Sequence, residues 1–189
     1  LNSMKKIITL LSVMLLTITA VKAQQLSEGN SMINLGIGLS SYYTSGSGYN
    51  MSLPPVEGTF EYMITENISV GAFVGAYGSK YETNFDIAYN FSSKFSYIDG
   101  GALGNFHFVN DDKFNAYVGA KLGYVSVSTS TDSNDDYLNE LLETLDYTDS
   151  GIIYGVQLGG RYFVSEKFAI NAELGYGVAL LKVGVTFKL

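Results

Sequence analysis

The clearest signal in the chain is its last nine residues, Leu181-Lys182-Val183-Gly184-Val185-Thr186-Phe187-Lys188-Leu189. Apolar side chains alternate there with Lys, Gly or Thr, and a period of two is typical of a β-strand whose two faces meet different solvents. A strand at the end of a chain also needs a partner for its edge, which a barrel that closes on its own first strand supplies. We therefore expect residues 181–189 to pair with a strand that begins near Ser31.

The first residues predict an exported protein. Met4-Lys5-Lys6 is a basic start, residues 7–21 are mostly apolar, and Val21-Lys22-Ala23 fits a cleavage site. These are the parts of a secretory signal peptide. Because the apolar run is shorter than the roughly 20 residues of a spanning helix, we expect cleavage in preference to a retained anchor. The expected division is a cleaved segment 1–23, with a short extension before Met4, and one domain at 24–189.

The composition excludes several classes of protein. The chain has 189 residues and no cysteine, so we expect one domain with neither a disulfide framework nor a lipid anchor on cysteine. Removal of residues 1–23 leaves 8 of the 11 basic residues against 18 acidic ones, a net charge of −10. Nucleic acid is not an expected partner, because its binding relies on Lys and Arg side chains that neutralise phosphates.

A hairpin pattern occurs three times, in residues 60–72, 106–120 and 161–172. Each copy has an aromatic strand end, a short polar turn and a second strand that starts on a bulky apolar residue, which is typical of β-hairpins. Longer polar connections are expected at 44–53, 81–93 and 129–149, and a tight one near 175–179. Short turns at one end and long loops at the other are the asymmetry of an outer-membrane barrel.

We predict an all-β fold, an eight-stranded antiparallel up-and-down transmembrane β-barrel with short periplasmic turns and longer extracellular loops. The strands are expected at residues 31–43, 54–64, 68–80, 94–108, 114–128, 150–164, 168–175 and 180–189. Aromatic residues are expected to form one belt near the short turns, with Tyr62, Phe108, Phe114, Tyr162, Phe168 and Phe187. A second belt near the loops would contain Tyr42, Tyr43, Tyr81, Tyr97, Tyr124, Tyr154 and Tyr176. The alternative, a water-soluble barrel of lipocalin type, would need more charge on its outer face.

The signal peptide, the repeated turns and the ending from Gly175-Tyr176-Gly177 to Leu189 resemble the small outer-membrane β-barrel, or porin-family, proteins of Bacteroidota. These are similar in build to OmpX-, OmpA- and OmpW-like barrels. The resemblance covers residues 31–189 and implies localisation in the cell outer membrane, outer-membrane lipid as a partner and insertion by the assembly machinery. Such barrels usually end on an aromatic residue, whereas here Phe187 stands two positions before Leu189.

Seven charged residues are expected to point into the lumen: Glu57, Glu61, Asp99, Lys121, Arg161, Glu173 and Lys182. An eight-stranded barrel is just wide enough for its own side chains to fill it, and unpaired charges there are costly. We interpret the set as an ionic plug, with a proton or ion path as the alternative. His107, the one histidine, lies near a short turn and is expected to be structural, so we predict no catalytic residue, no cofactor and no metal.

The acidic segment 129–149 contains seven acidic residues and no basic one. The spacing from Asp132 to Glu143 matches oxygen positions of an EF-hand loop, but Tyr137 stands where that loop requires Gly. The simpler interpretation is a short amphipathic helix whose apolar stripe consists of Leu138, Leu141, Leu142 and Leu145. Such a stripe needs cover, so we expect this loop to fold over the barrel mouth or to bind an extracellular ligand.

We predict a non-enzymatic, monomeric integral outer-membrane protein with an envelope-structural, surface-recognition or adhesion role. The alternative is a narrow channel for small or hydrophobic solutes. A third hypothesis, an outer-leaflet lipid enzyme that uses His107, has the least support, because that residue lies at the end opposite the loops.

Overall fold

The computed structural model describes residues 25–39, 49–84, 90–133 and 147–189. These residues form eight β-strands: β1 Ser31–Gly38, β2 Tyr49–Met63, β3 Ile68–Asn84, β4 Asn90–Asn110, β5 Phe114–Ser133, β6 Tyr147–Phe163, β7 Phe168–Tyr176 and β8 Leu181–Lys188. Each strand is antiparallel to its neighbours, and β1 pairs with β8, so the sheet closes into an up-and-down barrel. The predicted fold class is confirmed. No helix within the described residues is long and apolar enough to cross a membrane.

The last strand closes the barrel as the alternation predicts. Leu35 of β1 lies opposite Val185, and Gly36 lies opposite Gly184. On its other edge β8 pairs with β7, where Ile170 lies opposite Val185. Both edges of β8 are therefore hydrogen-bonded, and the sheet has no open edge at this point.

Side chains alternate between an apolar outer surface and a mostly polar interior. In β6, Ile152 is 67% exposed whereas Gln157, on the opposite face, is 7% exposed. Exposed Val, Leu and Ile side chains on an outer face, with Asn, Gln and charged side chains inside, reverse the arrangement of a water-soluble barrel. This pattern is the one expected where lipid surrounds the sheet.

Strand length divides the barrel into a low side and a high side. β1, β7 and β8 have 8, 9 and 8 residues, whereas β3 to β6 have between 17 and 21. A tilted strand crosses a bilayer with about 9–11 residues. Outward side chains change from apolar to polar after Ala76 and Tyr124. We call the part beyond this change the raised sheet: residues 78–84, 90–97, 126–133 and 147–151.

In the raised sheet the strands extend beyond the ends predicted from the sequence. β3 and β5 were expected to end at residues 80 and 128 but continue to Asn84 and Ser133, and β4 and β6 begin at Asn90 and Tyr147. The outward positions of this sheet carry Ser, Thr, Lys and Glu side chains where the lower part of the barrel has aliphatic ones, so its sequence lacks the alternation that marks the membrane-spanning part. Its Ser, Thr and Tyr residues nevertheless include good strand formers. β2 likewise begins at Tyr49, with register shifts between Met51 and Val56.

Two expected belt residues belong to the interior. Tyr97 stacks on the buried Tyr77, with ring centroids 4.5 Å apart, and Tyr81 shares the inward face of β3 with Tyr77. Both were wrongly assigned to the lipid-facing belt, because each lies an even number of residues from a buried residue of its own strand, Tyr81 from Tyr77 and Tyr97 from Asp99, and so points inward. Tyr124, Tyr154 and Tyr176 are exposed on the outside, as expected. Other expected features lie outside the described residues: Tyr42, Tyr43, the leucine stripe at 138–145 and the EF-hand-like spacing beyond Ser133.

Candidate functional site

An apolar stopper fills the short-turn end of the lumen, where the turns at 64–67, 111–113 and 164–167 lie. It consists of five buried residues: Leu26, Met32, Met63, Phe163 and Ala169. Leu26 precedes β1 and is held by Asn110, whose Nδ2 donates to Leu26 O over 2.8 Å and whose Oδ1 accepts from Leu26 N over 3.2 Å. The backbone N–H of Gly29 also donates to Met63 O over 2.9 Å. Residues 25–30 thus fold beneath the barrel and cover this end.

Arg161 lies against the stopper, with its Nη1 3.7 Å from Met32 Sδ. Its Nη2 forms an ion pair with Glu61 Oε1, and the exposed fractions of the two side chains are 0% and 2%. The guanidinium carbon lies 4.2 Å from the centroid of the Tyr117 ring, a cation–π arrangement. A buried ion pair is favourable only where its remaining lone pairs and protons find partners, so the surroundings of Glu61 decide its stability.

Three neutral side chains complete the hydrogen bonding of Glu61. Asn34 Nδ2 donates to Oε1 over 2.7 Å, and Ser69 Oγ and Asn105 Nδ2 donate to Oε2 over 3.0 and 2.9 Å. With Arg161, the carboxylate has four donors from four different strands, so that together with Glu61 the network joins five of the eight strands. These hydrogen bonds connect strands on opposite sides of the barrel, and the side chains that form them fill the cross-section of the lumen at this level.

His107 belongs to the same network. Its Nε2 lies 2.9 Å from Ser69 Oγ, and its Nδ1 lies 3.0 Å from Asn115 Oδ1. A Ser–His–Asn chain has the connectivity of a nucleophilic triad. Here, however, all three side chains are 0% exposed, and Ser69 also contacts Glu61. A substrate has no space beside the Ser69 hydroxyl, so the chain of hydrogen bonds serves the packing of the lumen.

A second ionic layer joins four of the predicted charges with Tyr117. Glu57 Oε1 accepts from Lys121 Nζ over 2.6 Å and also forms an ion pair with Lys182. Lys182 Nζ reaches Glu173 Oε2 at 2.5 Å, and Glu173 Oε1 accepts from the Tyr117 hydroxyl over 2.5 Å. Because the ring of Tyr117 also contacts Arg161, the two ionic layers are continuous.

Asp99 is the one predicted lumen charge that joins neither layer. It is 3% exposed, and neither carboxylate oxygen has a hydrogen-bond partner within the described part of the chain. It lines a cavity of about 50 Å³ together with both lysines of the second layer and with the apolar side chains of Phe73, Ile153 and Val178. Within the described ranges no group of three or more His, Cys, Asp or Glu side chains could hold a metal ion.

The amides that serve the network were not singled out from the sequence. Asn34, Asn115, Gln157 and Asn171 are all buried, and Gln157 Nε2 donates to Asn105 Oδ1 over 2.8 Å. The alternation that assigns Glu61 and Arg161 to the lumen applies to these residues as well, so it could have identified them. Leu26 has no such signal, because residues 25–30 form no strand.

Comparisons with known proteins agree with this architecture. The family model described as outer membrane protein beta-barrel domain matches residues 8–185. The fold is similar to that of OprG from Pseudomonas aeruginosa, with a TM-score of 0.57, 12% identity, and coverage of 90% of this chain and 99% of that one. It is also similar to Neisserial surface protein A, with a TM-score of 0.53, 16% identity and coverage of 85% and 96%. It is similar as well to the N-terminal β-barrel domain of Pseudomonas aeruginosa OprF, with a TM-score of 0.52, 16% identity, and coverage of 88% of this chain and 100% of that one. No curated protein sequence matches the chain significantly.

Proposed function

The chain belongs to the outer-membrane β-barrel family, and we propose that it is a non-enzymatic surface-recognition protein of the outer membrane. In this proposal, residues 1–23 direct export and are removed, and the assembly machinery inserts residues 24–189 as a monomer surrounded by outer-membrane lipid. The lumen is a structural plug, and the raised sheet presents a binding surface outside the cell. The resemblance of the terminal segment favours an origin in Bacteroidota.

The observation that carries this proposal is the raised sheet. Four strands continue well beyond the length that a bilayer needs, and this extension has hydroxyl groups on its surface. On the outer face Ser128 Oγ lies 3.5 Å from Thr148 Oγ1, and on the inner face Ser93 Oγ lies 3.2 Å from Thr131 Oγ1. A rigid scaffold that carries loops is a common way to position binding residues. The raised sheet supports such a role for the acidic segment 129–149, where we propose that an extracellular ligand binds.

The alternative functions receive less support from the lumen. A narrow channel for small or hydrophobic solutes needs a continuous path, but the stopper and the Arg161–Glu61 layer fill two successive levels of the barrel. Enzymatic activity needs an accessible nucleophile or base, whereas Ser69 and His107 are fully buried. Both observations favour a lumen that stabilises the barrel and a function that lies in its exposed part.

A binding assay on whole cells tests the proposal. Cells that display the protein are applied to immobilised glycans and extracellular-matrix proteins, and purified barrel is recorded in planar lipid bilayers. We expect retention on at least one surface and no stable conductance. A variant in which residues 129–149 are replaced by a short turn should lose retention, whereas Glu66→Ala, an exposed change at the short-turn end, should retain it. Retention that survives this replacement, or a large steady current in the wild type, would contradict the proposal.

A further inference from the structure

Two carboxylate side chains flank one glycine in the wall of the lumen. Gly75 of β3 lies opposite Glu57 of β2 on one side and opposite Asp99 of β4 on the other. A Cβ atom placed on Gly75 would overlap Asp99 Oδ1. The Asp99 carboxylate therefore occupies the space that the missing side chain leaves, and it faces the same cavity as Glu57.

The charges that line this cavity do not balance. Three carboxylates, Glu57, Asp99 and Glu173, face two ammonium groups, Lys121 and Lys182. Both lysines are engaged by Glu57, and Lys182 is also engaged by Glu173. One negative charge remains at Asp99, whose oxygens are buried without a hydrogen-bond donor from the described residues. A buried carboxylate in this condition is strongly disfavoured unless a proton neutralises it or a positive charge accompanies it.

The cavity limits the size and charge of that partner. Its volume is about 50 Å³, and a buried water needs roughly 10–15 Å³ on the same kind of measure. There is space for a small cation with a few waters but not for a large organic molecule. Divalent cations require several oxygen ligands or carboxylates, whereas the excess here is one charge, and much of the remaining wall is apolar.

We propose that Asp99 and this cavity form a binding site for a small monovalent cation, either an alkali-metal ion or a primary ammonium group. The cation lies against the Asp99 carboxylate and neutralises the excess charge, and Phe73, Ile153 and Val178 bound the space around it. Asp99 is thus a ligand-binding residue, distinct from the ion pairs that hold the plug. The inference does not depend on what the raised sheet recognises.

Titration of the purified full-length barrel in detergent tests this site. Sodium, potassium and methylammonium chloride are added at constant ionic strength, with N-methylglucamine chloride as a cation too large for the cavity, and binding is followed by calorimetry and by sodium-23 relaxation. The expected result is saturable binding of at least one small cation and none of N-methylglucamine. Asp99→Asn should abolish it, whereas Glu66→Gln, which removes an exposed carboxylate at the short-turn end, should not change it.

Two results would overturn the proposal. One is the absence of saturable binding in the wild type together with an infrared band of a protonated carboxylic acid that disappears in D99N, which would show that a proton neutralises Asp99. The other is binding that persists unchanged in D99N. If D99N does not yield a heat-modifiable folded band on gels, competition between sodium and methylammonium for the wild-type protein tests the proposal instead. Competition for one saturable site supports the cavity, and independent, non-saturating effects contradict it.

Discussion

Replacement of Arg161 by methionine tests the lumen network most directly. Arg161→Met keeps an apolar side chain of similar length next to Met32 but removes the positive charge that faces Glu61. The Glu61 carboxylate would then keep only its neutral donors in a site that is 2% exposed. Removal of one partner of a buried ion pair costs about 3–5 kcal/mol. We therefore expect R161M to lower the free energy of unfolding by about 3–5 kcal/mol.

A double-mutant cycle separates the ion pair from simple packing. Glu61→Gln removes the negative charge, so the double variant E61Q/R161M leaves no unpaired charge in the lumen. Its cost should be smaller than the sum of the single costs by about 1–3 kcal/mol. The exposed pair between Lys80 and Glu82, at 2.5 Å with 34% and 55% exposed side chains, is the matched control. Lys80→Met should cost less than about 1 kcal/mol.

The measurement is reversible urea unfolding of barrels in lipid vesicles. The chain has 15 tyrosines and no tryptophan, so far-ultraviolet circular dichroism and tyrosine emission are the suitable signals, with linear extrapolation to water. We expect the conductance of R161A and R161M in planar bilayers to equal that of the wild type. The reasoning is refuted if R161M is as stable as the wild type to within about 0.5 kcal/mol, or if the two single costs are simply additive.

Three further substitutions test other parts of the barrel by the same unfolding measurement. Gly159→Ala should lower the free energy of unfolding by about 1–3 kcal/mol, because its Cβ would overlap the Tyr117 ring. Gly160→Ala, whose Cβ would lie 3.5 Å from a Phe114 ring carbon, should cost little. Equal costs for the two substitutions would contradict this packing. Leu26→Ala should cost about 2–5 kcal/mol because it leaves a cavity in the stopper, and the substitution of the exposed Glu28 by alanine should cost less than about 0.5 kcal/mol. If L26A is as stable as the wild type, residues 25–30 do not close the barrel. Leu122→Arg should cost about 2–4 kcal/mol if that outward position faces lipid, while Tyr147→Arg on the raised sheet should be nearly neutral. The two side chains are 62% and 59% exposed, so similar costs for the two substitutions would refute the assigned membrane level.

Alternation predicts the barrel well wherever the two faces of a strand meet different surroundings. It assigns Glu61 and Arg161 to the lumen, and it identifies β8 as a strand with lipid on one side. The same signal fails above the membrane, where residues 129–133 were expected in a loop but continue β5. It also gives no information on residues 25–30, whose position depends on contacts of Leu26 and Gly29 with distant strands. Periodicity therefore shows where the two faces of a strand meet different solvents, and it gives no information on a segment whose faces meet the same one.

The pairing of charges inside the lumen depends on register, and glycine explains how so narrow a barrel holds them. Tyr117 lies opposite Gly159, Asn105 opposite Gly119 and Asp99 opposite Gly75. In each pair a Cβ atom on the glycine would overlap the large side chain. Gly-rich inward faces are visible in the sequence, but which glycine accommodates which side chain is fixed only when neighbouring strands are aligned. A one-residue slip would point every large lumen side chain of the shifted strand at lipid, so these pairs also fix the register that forms them.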